Sequence, residues 1–371
     1  MQNINMFVGL DVSKDEIEVA TAEEGTPEVK PYGSIGGDLD SVDKLIRKLV
    51  STGKTLHVVY EAGPCGYDIY RYLKKKKIDC TVCAPSMTPR PSGDRVKTDR
   101  RDALMLARLH RSGDLTPVFV PNEEDEAVRD LVRSRELTMI DHKRCRQRLL
   151  SLLLRNGIRY SGRTNWNHSH FDWLSRVSLP HPIQQIVFQE YLLAIQKTSD
   201  QLTRLDEQIR LAVESWRMGP VVKALQALRG ISLVVASGLV AEIGDITRFT
   251  QPRQLMAYVG IVPSEYSSGR RRLQGGITKC GNTHARRLLV EASWSYQHKA
   301  RVSEVIRRRQ LNLPPNICEL AWKAQTRLCR RFRRMVYRGI NKKVVATAIG
   351  RELLGFVWAV AKQVPIQQPM N

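Results

Sequence analysis

The chain has 371 residues, 42% of them hydrophobic and 26% charged, and its formal net charge is +22 at neutral pH. This composition favours a globular protein of two or three domains. No long apolar stretch or basic leader segment is visible, and the seven cysteines are scattered and odd in number. We therefore expect a cytoplasmic location, reduced thiols and no membrane partner.

Residues 1–122 alternate β-rich apolar runs with helical patterns. The predicted elements are a strand from Met6, a hairpin partner at Ile17–Thr21, a helix at Asp40–Val50, a strand at Leu56, a helix at Gly66–Lys76, a strand at Ile78 and a helix from Asp99. Strands followed by helices that cover a mixed sheet predict an α/β layered domain. Cys80 and Cys83 would point to opposite faces of a strand, so we expect no zinc site there.

Four acidic residues lie at three places in this block. Asp11 and Glu61 each stand at or near the end of a predicted strand, and Asp99 and Asp102 are three residues apart at the start of a helix that Thr98 can cap. A cluster of carboxylates needs cations at neutral pH, and oxygen ligands suit Mg²⁺, so the four together indicate a metal site. Each acid alone could equally be a loop acid or an acid that favours a helix N-terminus.

Residues 123–217 have a helical pattern. Apolar side chains recur every three or four residues from Leu192 to Trp216, which is typical of a helix seam and predicts a coiled-coil region. Residues 165–173, between the helices, are polar and aromatic. We expect a loop that contacts a partner or packs against the helices, because its two histidines have no matching ligand set.

Residues 218–371 begin with two apolar helical runs around Gly230. This helical hairpin could hold phosphate or could simply pack. Residues 264–282 are rich in Gly, Ser and Arg, so the backbone there can approach a ligand closely. Ser268 lies in this stretch and, taken alone, is interpreted as a turn residue, because a serine needs a base or a metal to become a nucleophile.

The positive charge is concentrated towards the C-terminus. Residues 1–122 contain 18 Lys and Arg against 17 Asp and Glu, whereas residues 248–343 contain 22 against 4. Clustered cations interleaved with aromatic rings are typical of nucleic-acid binding. The predicted contact residues are Arg270, Arg271, Arg272, Lys279, Arg286, Arg287, Arg307, Arg308, Arg330 and Arg331.

Several of these segments together resemble the DEDD transposases of the IS110 family of insertion sequences, including its IS1111 branch. The segments are Gly9–Lys14, Tyr60–Gly63, Lys97–Ala103, Tyr266–Gly269 and Ile277–Gly281. The resemblance extends from residue 5 to residue 300. The chain departs from the family's usual Pro-Gly-Ile-Gly hairpin, since it has Arg229-Gly230-Ile231-Ser232 at that place.

The resemblance implies an RNase H-like (RuvC-like) domain at 1–122, a helical coiled-coil region at 123–217 and a mainly helical transposase domain at 218–371. It implies that Asp11, Glu61, Asp99 and Asp102 bind Mg²⁺, with two ions expected and Mn²⁺ as a substitute, and that Ser268 is a nucleophile. It further implies DNA recombination guided by a structured noncoding bridge RNA that pairs with donor and target DNA. A homo-oligomer is expected, a dimer that becomes a tetramer at synapsis.

Two other classes of function stay open. A metal-dependent hydrolytic nuclease, such as a Holliday-junction resolvase, would use the acids and water but no serine. A non-catalytic scaffold that binds nucleic acid would need neither the acids nor the serine. The three classes therefore differ in the effects expected of Ser268→Ala and Asp11→Asn.

Overall fold

The computed structural model describes residues 4–89, 98–269 and 271–366, with the side chain of Arg272 left out. The chain separates into two units, Met1–Pro121 and Asn122–Asn371. The predicted division into three domains stays a prediction.

A mixed sheet of five strands forms the centre of the first unit. Its strands are β1 (Asn5–Val12), β2 (Glu16–Glu23), β3 (Val29–Gly36), β4 (Thr55–Glu61) and β5 (Asp79–Cys83), in the order β3-β2-β1-β4-β5. β1 and β2, and β2 and β3, pair antiparallel, whereas β4 is parallel to both β1 and β5. The sheet confirms the α/β prediction. β3 was not predicted, because Pro31 and Gly33 hide its alternation, and an edge strand tolerates both.

Helices cover both faces of this sheet. They are α1 (Leu39–Val50), α2 (Asp68–Lys75) and α3 (Asp99–Ser112). α1 and α2 share one buried cluster with the strands, and the small residues Ala103 and Ala107 of α3 pack on the other face. Since both faces are covered, Cys80 and Cys83 are both buried and belong to different clusters, as predicted.

The second unit is mostly helical. Its helices are α4 (Glu123–Arg155), α5 (His168–Leu174), α6 (Pro182–Ser215), α7 (Gly219–Leu225), α8 (Leu233–Ile243), α9 (Pro252–Val259), α10 (Thr283–Ser293), α11 (Glu304–Gln310), α12 (Pro315–Tyr337) and α13 (Lys342–Ala361). Between α9 and α10 the chain forms a β-hairpin of β6 (Pro263–Ser268) and β7 (Arg271–Ile277).

α4 and α6 form a long antiparallel hairpin. Arg135 Nε donates to Asp206 Oδ1 at 2.8 Å, and further along the pair His142 Nδ1 lies 2.7 Å from Thr198 Oγ1. The predicted seam of α6 faces α4, because Ile195 packs with the α4 residues of one core cluster and Ile209 with those of another. α4 of the same chain therefore covers this seam, and a coiled-coil role in oligomerisation stays a prediction.

One core extends from the base of this hairpin into the C-terminal helices. Val128 of α4 and Val213 of α6 are buried in the same cluster as residues of α7–α10, α12 and α13. Asp125, almost fully buried, accepts a hydrogen bond from Trp216 Nε1 at 2.8 Å and forms an ion pair with Arg217. Residues on both sides of position 217 thus belong to one packed structure.

α13 corrects one expectation from the sequence. It is a 20-residue helix that is long and apolar enough to cross a membrane by length and composition, although no such stretch was expected from the sequence. In the structure half of that stretch is buried, and Ile349, Leu353 and Val357 are fully enclosed in the core of the second unit. α13 is accordingly a core helix in this fold.

Candidate catalytic site and nucleic-acid surface

The sheet register places two of the predicted metal-binding acids on neighbouring strands. Leu10 of β1 pairs with Tyr60 of β4 in parallel register, so Asp11 and Glu61 occupy the next position of each strand. Both side chains are half-buried. The sequence therefore predicted correctly that each acid lies at or next to a strand end, and the structure adds that the two strands are adjacent.

α3 brings the other two acids towards the same end of β1. The ring centroid of Phe7 lies 5.5 Å from that of His110, whereas Gly9 lies against Ala103 and Ala107. The later residue of β1 thus contacts the earlier residues of α3. The two elements therefore run in opposite directions. The first turn of α3, which carries Asp99 and Asp102, is therefore the turn nearest to the Asp11 end of the strand.

The start of α3 has the predicted cap. The Thr98 side chain accepts a hydrogen bond from the backbone N–H of Arg101 at 3.4 Å. Acids in the first turn also suit the positive end of the helix dipole. Asp102 is half-buried and Asp99 is exposed.

The donor chemistry fits a hard divalent cation, but the side chains are not gathered into a ligand set. Carboxylate oxygens are the ligands that Mg²⁺ prefers. Glu61 Oε1 accepts a hydrogen bond of 2.9 Å from Thr88 Oγ1, which fixes its orientation. Within the described ranges no group of three or more His, Cys, Asp or Glu side chains could hold a metal ion. The backbone thus brings the acid-bearing elements together, and the metal site stays a prediction.

Ser268 lies at the end of an exposed β-hairpin. It pairs with Arg271 across the β6–β7 turn, and Gly269 occupies the left-handed region of the backbone with φ of +58°. The Ser268 side chain is exposed, as expected for a turn, whereas the neighbouring Ser267 Oγ donates to Glu265 Oε1 at 2.8 Å. Arg270 and the side chain of Arg272 lie outside the described residues.

We call the β6–β7 hairpin the serine hairpin, and two glycines allow the chain segments at its base to pack closely together. Gly260 and Gly281 both have positive φ, and a Cβ on either would collide with a backbone carbonyl, that of Cys280 or of Tyr258. The backbone N–H of Lys279 also donates to the carbonyl of Gly260 at 3.1 Å. The hairpin therefore has a fixed base and an exposed tip.

A buried carboxylate connects this base to α4. Glu242 is 6% exposed and accepts hydrogen bonds from Arg133 Nε and Asn282 Nδ2, both at 2.7 Å. Burial acts to raise the pKa of Glu242, but the hydrogen bonds and the charge of Arg133 outweigh it and the pKa lies below its ordinary value. Glu242 is therefore a structural anion that the sequence analysis missed, since its partners lie far away along the chain.

The hairpin around Gly230 is best explained by packing. A Cβ on Gly230, whose φ is +83°, would collide with the carbonyl of Ala292. Ser232 caps α8 by accepting from the N–H of Val235, and Arg229 Nη1 donates to the carbonyl of Lys299 at 2.8 Å. The two residues at which the chain departs from the family motif thus both have local structural partners.

Several of the predicted nucleic-acid contacts already have protein partners. Arg286 Nη1 donates to the carbonyl of Val259 at 2.7 Å, and Arg287 Nη2 lies 2.6 Å from Glu136 Oε2. Arg307 and Arg308 are exposed on α11 and both form ion pairs with Glu304. Arg271 in the serine hairpin and Lys279 beside it are both exposed.

The outer face of α12 carries a row of basic side chains. Its inner face, with Ala324, Leu328 and Phe332, is buried. The outer face lines a groove of about 800 Å³, which we call the α12 groove; it includes Lys323, Arg327, Arg330, Arg331, Arg334 and Arg338. Glu352 of α13 pairs with Arg327 and, at 3.1 Å, with Arg331. Only two of these cations were predicted as contacts, although their spacing of three and four residues marks a single helix face.

Comparison with known proteins matches both units. A family model of DEDD transposases of IS110 elements matches residues 8–156, and one described as "Transposase IS116/IS110/IS902 family" matches residues 222–307. A Sinorhizobium fredii protein, y4qE, named as a transposase, is 40% identical over 358 residues, which cover 96% of this chain and 88% of that protein. The transposase for insertion sequence element IS1533 of Leptospira borgpetersenii is 32% identical over 333 residues, 89% of this chain and 96% of that protein.

Proposed function

Because the chain belongs to the IS110/IS116 family of insertion-sequence transposases, we propose that it moves its element by cutting DNA with a serine nucleophile and a metal-binding acid cluster. The match to the DEDD family also implies an RNase H-like fold for the first unit. The observation that carries the proposal is the coverage of the two family matches. One match includes all four acids and the other includes Ser268.

The acids supply the first part of the proposed mechanism. Asp11, Glu61 and the first turn of α3 lie on elements that meet at one end of β1. Mg²⁺ held by these carboxylates, with two ions expected and Mn²⁺ as a substitute, would neutralise the scissile phosphate and stabilise the attacking and leaving oxygens. Thr88, by its hydrogen bond, holds the Glu61 carboxylate in place.

Ser268 supplies the second part. Its Oγ attacks the scissile phosphorus, the bond from phosphorus to the 3′ oxygen breaks, and the serine proton passes to a carboxylate or to solvent while the 3′ oxygen takes up a proton. The phosphate then stays on the serine, so a later attack by another 3′ hydroxyl can rejoin strands without a nucleotide cofactor. The exposed tip and braced base of the hairpin suit a nucleophile that reaches into DNA.

Nucleic-acid partners follow from the basic surface. The α12 groove is lined by six cations of α12 and its C-cap, which gives it the charge to bind a phosphate backbone. We include in the proposal donor DNA, target DNA and a structured bridge RNA encoded beside the element. Because the acids and Ser268 belong to different units of the chain, a homo-oligomer, a dimer that becomes a tetramer at synapsis, is also part of the proposal.

The experiment uses the full chain, Mg²⁺, plasmids that carry the element's ends and a target, and the noncoding RNA transcribed beside the element. We expect a protein–DNA adduct that survives denaturation and recombinant junctions detectable by sequencing. Ser268→Ala should abolish both, and the matched variant Ser267→Ala should keep both. Asp11→Asn should abolish both as well, whereas Asp15→Asn, at the exposed β1–β2 turn, removes the same charge and should keep both.

The other classes of function give different results. A hydrolytic nuclease would still cut DNA as Ser268→Ala and would leave no adduct. A binding scaffold would bind nucleic acid equally with either substitution and would cut with neither. Wild-type recombination by Ser268→Ala would refute the proposed nucleophile, and adducts without the RNA would refute guidance.

A further inference from the structure

The far end of the α4–α6 hairpin contains a small open cavity, which we call the tip cavity. It has a volume of about 230 Å³. Its lining consists of Leu150, Leu153, Leu154 and Ile158, two aromatic residues, Tyr160 and Trp173, and two polar residues, Arg159 and Asn165. Two of the lining residues, Asn165 and Trp173, belong to the segment in which the sequence predicted a polar and aromatic loop.

Tyr160 and Trp173 form the aromatic wall of the tip cavity, and both rings pack against His170. Trp173 is stacked on His170 with ring centroids 5.5 Å apart, and Tyr160 lies edge-on to His170 at 4.7 Å. His170 is fully buried, and its Nδ1 accepts from the backbone N–H of Trp166 at 3.2 Å. Burial lowers the pKa of His170, so this support is a neutral ring. The segment therefore packs against the helices, one of the two expected alternatives, and part of it forms α5.

Gly162 leaves room for the tyrosine ring in this position. A Cβ at Gly162 would lie 2.5 Å from Tyr160 Oη and even closer to Tyr160 Cζ, so any side chain there would move the ring. The aromatic wall is thus preorganised, which lowers the entropic cost of binding a flat ligand.

The surroundings of the cavity are strongly basic. Residues 143–163 contain seven Lys and Arg and no Asp or Glu. The guanidinium of Arg146 lies 4.9 Å from the centroid of the Trp166 ring, next to this wall. Leu154, at the cavity, is 58% exposed. An apolar, aromatic cavity that is lined by Arg159 and lies in a basic segment suits a ligand with a flat face and a phosphate.

We propose that the tip cavity binds one unpaired nucleobase of the nucleic acid on which this transposase acts, an inference that rests on the proposed function. The base would stack on Tyr160 or Trp173 above the leucine floor, with the Asn165 amide at its edge and Arg159 at its phosphate. The volume allows one base and not a stacked run of bases. A second copy of the chain is a poor occupant, because its own seven cations would face those of the first.

The test compares short duplexes with and without one unpaired 2-aminopurine, prepared as RNA and as DNA, for binding to the full-length chain. 2-Aminopurine loses fluorescence when it stacks on an aromatic ring, so binding and stacking are read separately. We expect the chain to bind the duplex with the unpaired base about tenfold more tightly and to quench it. The RNA and DNA arms identify which nucleic acid supplies the base.

Three variants locate the effect. Tyr160→Leu keeps an apolar wall without a stacking ring and should remove the preference and most of the quenching. Gly162→Ala keeps the tyrosine but moves it and should weaken both. Phe171→Leu is the matched control, because Phe171 is an exposed ring of the same aromatic group that does not line the cavity, and it should behave as wild type.

The outcomes separate this inference from the proposed function. If wild type binds the paired duplex in a salt-dependent manner but shows no preference for the unpaired base, the tip cavity is not a base site and the proposed function stands. If Phe171→Leu loses as much as Tyr160→Leu, the cavity assignment is likewise overturned. If wild type binds none of the duplexes, the proposed nucleic-acid function itself fails.

Discussion

Gly9→Ala tests the contact that positions the acid-bearing helix. Gly9 lies in β1 beneath α3, where the helix approaches so closely that an added Cβ would lie 2.5 Å from the backbone N of Ala107 and would collide with the carbonyl of Ala103. Both obstacles are backbone atoms. No side-chain rotation can therefore relieve the clash, and α3 must move away from the sheet.

The size of the effect follows from the geometry. An ordinary van der Waals contact needs at least 3.4 Å, so the helix must move out by about 1 Å near Ala103 and Ala107. Overpacking of this kind costs about 1–3 kcal/mol of the free energy of unfolding. The first turn of the same helix carries Asp99 and Asp102, and a displacement of about 1 Å at a catalytic group can reduce the rate about 100-fold.

The assay combines thermal unfolding with formation of the proposed Ser268–DNA adduct, measured below the unfolding midpoint of both proteins. We expect a lower melting temperature and an adduct yield reduced far more than the folded fraction explains. Gly276→Ala in β7 is the control for unfolding, because a Cβ there meets no atom within 4 Å. A Gly9→Ala protein with the stability and adduct yield of wild type would show that α3 does not set the geometry of the acids.

Three further predictions concern a cap, a buried anion and the basic groove. Thr98→Ala should lower the free energy of unfolding, measured by chemical denaturation, by about 0.5–1 kcal/mol. Thr98→Ser should unfold with the free energy of wild type, because serine can also cap the helix. Glu242→Gln should lower the free energy of unfolding by about 2 kcal/mol at neutral pH. This is less than the loss expected when a fully buried ion pair is broken, because Arg133 is partly exposed. Since the folded-state pKa of Glu242 is lowered, this difference from wild type should shrink as the pH falls below about 4.3; growth on acidification would contradict it. Arg330→Gln combined with Arg334→Gln should reduce the slope of log affinity against log salt by about 2, whereas Arg210→Gln, paired on α6, should leave that slope unchanged.

The sequence predicted the acid-bearing elements well because their signals are local. Alternating apolar residues before Asp11 and Glu61 specify strands, and Thr98 specifies the start of α3 from a single hydrogen bond nearby. The edge strand β3 lacked such a signal, since Pro31 interrupts its pattern.

Roles that depend on distant partners could not be predicted. Arg286 and Arg287 belong to the same basic composition as Arg330, yet they hold Val259 and Glu136 while Arg330 faces the α12 groove. A count of charges does not distinguish a guanidinium that satisfies a carbonyl from one that is available to phosphate. For the same reason the role of Glu242 was not predicted, because its hydrogen-bond donors come from α4 and from the start of α10.

The pairing of α4 with α6 has a consequence for quaternary structure. The apolar row of α6 is already used within one chain, where Ile195 and Ile209 lie against α4. Separating the two helices to let copies exchange partners would expose that row to water and open the common core at its base. The homo-oligomer that we propose would therefore have to form through outward-facing surfaces of an already folded subunit, with the α4–α6 hairpin kept intact within each chain.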